Sequence, residues 1–158
     1  MNTCLRPRVS SILGFTLFLT IGCGQTTRDT EGPAFTQSVA FPDCAPWDGA
    51  AVSIYLTTTA RDSLSEQIAA PFLHLAIWRN VRNLPGATIS WPSDDQPGTA
   101  SWCATADGCE PAAAGRVQVG GLVGDTTLSG SYDLRFTDST VMRGHFRARW
   151  LDRRVLCG

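Results

Sequence analysis

The sequence predicts an all-β domain: an antiparallel β-sandwich or small barrel of about seven or eight short strands, preceded by a cleaved signal segment and a flexible tether. Three observations predict it. Apolar and polar residues alternate over short stretches, and turn-forming Gly, Pro, Asp and Ser separate those stretches. Only "ARDSLSEQIAA", residues 60–70, reads as helical, and only briefly.

The elements follow in chain order. "AAVSIYLTTT" sets Val52, Ile54 and Leu56 on one side and Ser53, Tyr55 and Thr57 on the other. "PFLHLAIW" sets Leu73, Leu75 and Ile77 against Phe72, His74, Ala76 and Trp78; both faces are largely apolar, as in a central strand. "ATISW" is a short strand between Pro-Gly and Trp-Pro. In "RVQVGGLV" the pair Gly120-Gly121 predicts a bulge or sharp bend. The clearest element is "LSGSYDLRFTDSTVMRGHFRARWL". Leu128, Gly130, Tyr132, Leu134 and Phe136 alternate with polar residues, a turn follows at Thr137–Thr140, and Met142, Gly144, Phe146, Ala148 and Trp150 alternate again. This is a β-hairpin with one inward face.

The amino-terminal end has a different character. Arg6 and Arg8 precede Ser11–Gly22, an uncharged and mostly apolar run too short to span a bilayer as a helix. That is the pattern of a secretory signal. Its end, Leu19-Thr20-Ile21-Gly22-Cys23, resembles the lipobox of bacterial lipoproteins, with Thr20 where Leu is usual. The resemblance covers these first residues alone. It implies that residues 1–22 are removed, that Cys23 carries a diacylglyceryl thioether and commonly an acylated (palmitate-type) amine, and that the protein is membrane-anchored. Gly24 in place of Asp implies sorting to the outer membrane, facing the periplasm or the cell surface. Two or more acyl chains hold a protein stably at a bilayer without a transmembrane helix.

On that reading "GQTTRDTEGPA" completes a tether over residues 23–34, and residues 35–158 form one β domain. The chain has no lysine. From Cys23 onward, eleven Arg face fourteen Asp and Glu, a net charge of about −3. The balance argues against a nucleic-acid partner, which selects basic domains. Four cysteines remain for the exported domain: Cys44, Cys103, Cys109 and Cys157. An even count in an exported chain reads as disulfides. Three pairings are possible. Cys103–Cys109, closing "CATADGC", and Cys44–Cys157, tying the first strand region to the last, are preferred over a zinc site, which lacks the paired C-x₂₋₄-C knuckles.

Catalytic constellations are scarce. The chain has no H-E-x-x-H, G-x-S-x-G, phosphate loop or dinucleotide fingerprint, so no cofactor, metal or catalytic residue is assigned. Asp94-Asp95 and the acids of "DCAPWDG" are sequence neighbours, whereas a carboxylate hydrolase needs two acids at a set separation. His74 reads as structural, and Trp47, Trp91 and Trp102 as plugs for the ends of the core. The one suggestive surface is a stripe of Arg143, His145, Arg147 and Arg149 at period two, with Arg135 on the partner strand. Such a stripe either contacts an anionic lipid, polysaccharide or protein, or is a solvated face paired with Asp133 and Asp152. The leading expectation is therefore a non-enzymatic structural or binding module of the envelope. The alternatives are a calycin-like domain holding a small lipid or sugar in a pocket, and a hydrolase using carboxylates. A deep apolar pocket favours the second and a filled core the first.

Overall fold

The computed structural model of the protein describes residues 30–59, 68–93, 95, 97–105 and 107–158. Cys23, the signal and most of the tether lie outside them, as do residues 60–67 of the expected helix and Asp94.

Among the described residues nine strands form: β1 (Thr30–Glu31), β2 (Gln37–Cys44), β3 (Ala50–Thr57), β4 (Phe72–Ile77), β5 (Thr88–Trp91), β6 (Gly98–Thr105), β7 (Gly108–Val123), β8 (Thr127–Phe136) and β9 (Thr140–Trp150). They make one sheet that closes on itself in the order β2-β3-β4-β6-β7-β8-β9 and back to β2. The architecture is thus the barrel, not the sandwich. The pairings around it are antiparallel except at closure, where β9 meets β2 in parallel through Val39–Arg149 and Ala40–Trp150. Strand pairing is already present at Thr30–Glu31, ahead of the expected domain start near Phe35.

The inward residues of each strand merge into one core. Ile54, Leu56, Leu73, Leu75, Val117, Leu128 and Leu134 are buried within it. The β8–β9 hairpin pairs large with small across the ladder. Tyr132 stands opposite Gly144, and Phe146 opposite Gly130. A Cβ on Gly130 would come within 2.3 Å of the Phe146 ring, so the ring occupies the space a side chain would take. Trp102, on β6, also belongs to this core, 7% exposed.

The long strand β7 explains how a single sheet curves into a tube. Its early residues pair with β6, residues 115–118 pair with β5 on that same edge, and β8 follows it from Ala112 to Val123 on the other. Register shifts at Ala112/Ala114 and Val119/Gly121 bend it. The second is the Gly-Gly irregularity expected from sequence. At Gly115 (φ +132°) a Cβ would sit 2.1 Å from the Asp133 carbonyl oxygen, so only glycine allows the bend. The β7–β8 turn places Gly124 and Asp125 both at positive φ, with Thr126 N–H donating to Val123 C=O, a type I′ geometry suited to the twist of a hairpin.

Two bonds staple the tube. Cys44 is bonded to Cys157, with Cα atoms 5.5 Å apart, and Cys103 to Cys109 across the β6–β7 hairpin. Pro42 lies inside β2, where proline is tolerated only beside a free edge. The free edge exists because β9 leaves β2 just before it. The carboxy-terminal residues run there instead, and Arg153 donates from Nε to the Pro42 carbonyl at 3.0 Å.

Candidate functional site

The seam where β9 closes the barrel is incomplete. Thr30 pairs with Thr140 at one end and Val39 with Arg149 at the other. Both pairings join residues 110 apart in sequence, so residues 30–40 run beside 140–150 in one constant register. Between those anchor points the two segments part. No residue from 33 to 38 pairs with β9.

Phe35 supplies the physical cause. Along β2, Ala40 faces the core while Val39 and Phe41 face outward, so regular alternation would turn Phe35 outward too. Instead its ring packs edge-on against Trp102 (6.1 Å) and Tyr132 (6.4 Å), both interior. Reversing one side chain breaks the two-residue period, and the chain bows off β9 to do it.

The bow leaves a groove of about 490 Å³. Thr36, Gln37 and Ser38 form one rim and His145, Arg147 and Arg149 the other. Leu56 and Phe146, members of the core, form its floor. The β9 backbone also faces it. Val141 C=O accepts from Gly32 N–H and Leu151 N–H donates to Ala40 C=O, whereas Trp150 N–H donates to Thr126 C=O on the opposite side. Odd-numbered residues of β9 therefore direct their peptide groups toward the seam. The amides of His145 and Arg147 do so with no backbone partner among the described residues.

The sequence-predicted stripe is brought together on the outer face of β7, β8 and β9, and it divides in two. Arg143 stands opposite Asp133, and its Nε donates to the carboxylate at 2.9 Å. Arg116 faces the same Asp133 from β7, and Arg135 lines the same depression as these three. Asp133 thus offsets part of that half of the charge. Arg147 and Arg149 make no ion pair or side-chain hydrogen bond among the described residues; with exposed His145 they stand over the groove. Asp152 pairs with none of them among those residues.

A second polar cluster, absent from the sequence reading, lies on the outer face of β2, β3 and β4. Ser53 Oγ donates to Asp43 Oδ2 at 2.6 Å, and His74 Nε2 lies 3.2 Å from the same hydroxyl. Tyr55 is stacked on His74 at 4.2 Å between ring centroids. Serine, histidine and aspartate together suggest a nucleophilic triad, but their order is wrong. In a triad the histidine takes the serine proton and the acid orients the histidine. Here the serine hydroxyl donates its hydrogen bond to the acid, so the imidazole is the donor at Nε2 and is not placed to take the serine proton. Ser53 is 1% exposed, out of a substrate's reach. Arg153 closes the cluster, 3.6 Å from Asp43 and 4.0 Å above the Phe41 ring. The cluster holds the carboxy-terminal tail.

Burial holds the His74 pKa below the usual histidine value, partly countered by the Asp43 charge. The unfolded chain then binds a proton more readily than the fold, so this contribution is complete above the unfolded value of about 6.5 and is lost as pH falls from there toward the folded pKa. We expect thermal stability to drop as pH falls below about 6.5, and His74→Gln, which keeps a donor for Ser53, to flatten that part of a calorimetric pH series.

Among the described residues no three His, Cys, Asp or Glu side chains gather closely enough to hold a metal ion. Trp47 is exposed and packs edge-on against Trp78, while Trp91 donates from its indole to Gly98 C=O. No family model matches the chain, and no curated protein or solved structure matches it significantly.

Proposed function

We propose that this protein is a lipid-anchored bacterial envelope protein whose β domain acts without catalysis, by binding an anionic partner at the outer face of β8 and β9. The observation that carries the reading is the charge distribution. Arg135, Arg143, His145, Arg147 and Arg149 share one face of an otherwise acidic domain, with one acid, Asp133, paired to Arg143 among the described residues. Such a face raises the local concentration of anions and steers their approach. The filled core supports surface contact over a calycin-like interior pocket, because apolar side chains occupy the tube. The reading of Asp43, Ser53 and His74 as a structural cluster speaks against a hydrolase at that position. The lipobox-like residues through Cys23 support cleavage of a signal peptide, acylation and residence at the outer membrane.

The experiment has two arms. Cys23→Ser should shift the protein from the membrane fraction to the soluble one, and continued retention contradicts the anchor. On a carboxylated cation-exchange matrix at neutral pH the soluble Cys23→Ser protein should be retained despite its net negative charge. Adding Arg143→Gln, Arg147→Gln and Arg149→Gln together should abolish retention with the melting temperature unchanged within a few degrees. Passage of the unsubstituted face straight through the matrix contradicts the binding role.

A further inference from the structure

We propose that the open seam between β2 and β9 binds an extended peptide segment of a partner protein, one whose acidic and apolar residues alternate. The inference rests on the anionic-partner reading above and names the partner's chemistry.

Three features converge on an extended chain. The first is an unused strand edge. A chain laid along β9 meets the amides of His145 and Arg147, which point into the groove at two-residue spacing. Only a backbone repeats donors and acceptors with that period, which is how strand addition gains affinity. The second is the charge on the rim. His145, Arg147 and Arg149 stand at the same two-residue spacing, so successive outward side chains of the segment meet the imidazole of His145 and the cations of Arg147 and Arg149. Carboxylates suit the guanidinium forks of Arg147 and Arg149. The third is the floor. The intervening side chains point inward over Leu56 and Phe146, which are 1% and 4% exposed and close the base of the groove, so only small aliphatic groups fit there. One alternation in the ligand therefore satisfies both rim and floor. The groove lies within the size range of small binding sites and accepts a few residues. A lipid headgroup or a polysaccharide can meet the cations, but neither presents a peptide backbone to the strand edge.

The probe is an end-blocked octapeptide alternating Glu and Val, titrated by fluorescence anisotropy into the Cys23→Ser protein. Saturable binding that weakens with salt is expected. Arg147→Gln and Arg149→Gln should each weaken it about tenfold, about 1.4 kcal/mol. Both side chains are exposed, so the variants keep the fold. A peptide of the same composition written as four Glu then four Val should bind at least tenfold more weakly, and so should an alternating peptide N-methylated at every second residue. Equal binding of alternating and block peptides overturns the strand-docking inference while leaving the anionic face in place. So does displacement of the peptide by phosphatidylglycerol vesicles together with indifference to N-methylation, which assigns the face to lipid. If no peptide binds while the cation-exchange matrix still retains the protein, the seam inference fails alone.

Discussion

Replacing Cys44 and Cys157 together with alanine should cost about 4–5 kcal/mol and lower the melting temperature by some 10–20 °C. The bond joins residues 113 apart, so it restrains nearly the whole unfolded domain. Cys103–Cys109 closes a separation of only six residues, which the same chain-entropy model values at about 2 kcal/mol. The first loss has a structural partner. Cys157 anchors a tail whose Arg153 covers Phe41 and Asp43 on the outer face of β2. Releasing it uncovers the Asp43–Ser53–His74 cluster, so the cost should reach the upper end of the range. A domain of ordinary stability has only about 5–15 kcal/mol to lose. Calorimetry of the two double-alanine variants, with thiol titration of the unsubstituted Cys23→Ser protein under denaturation, checks the expectation. Four reactive thiols in the Cys44, Cys103, Cys109 and Cys157 set, or equal losses for the two pairs, contradict it.

How much of this could be read from the chain depends on the distance over which each element is specified. The β8–β9 hairpin is local: two strictly alternating runs, a turn with Asp138 bonding back to Thr140, and inward residues that are buried as the pattern requires. β3, β4 and β5 are also legible, since their apolar faces repeat without interruption. β2 and β6 are not. β2 carries Pro42 and buries apolar residues on both faces, and β6 fills its inward positions with Gly98, Ala100 and Trp102, leaving little amphipathic contrast. The parallel closure is invisible for a different reason. It joins segments 110 residues apart, and nothing local marks the match.

The candidate site shows the same division. The outward arginines follow from period-two spacing alone. Their separation into an Asp133-paired half and a groove-facing half needs the cross-strand register, which sets Arg143 against Asp133. The reversal of Phe35 depends on Trp102 and Tyr132 far along the chain, so neither the bow nor the groove has a sequence signal. For the Asp43–Ser53–His74 cluster a signal does exist. Ser53, Tyr55 and His74 are polar interruptions at outward positions of two strands with otherwise apolar faces, and Tyr55 and His74 are direct cross-strand partners.

The open seam organises the site, because it makes the strand edge and places two arginines, above a base closed by Leu56 and Phe146, where no described residue pairs with them. Amide hydrogen exchange along β9 tests it most directly. Even-numbered residues are directed toward β8 inside the closed sheet, whereas the amides of His145 and Arg147 are directed into the groove. Amides held in a sheet open only at a free energy approaching that of global unfolding, which slows exchange by roughly a thousandfold or more. The account predicts alternating protection, with Gly144, Phe146 and Ala148 slow, His145 and Arg147 near the rate of an unstructured chain, and both slowed when the alternating peptide is bound. Uniformly slow exchange from residue 142 to 150 in the free protein would mean that β2 and β9 are zipped along their whole length, and would contradict it.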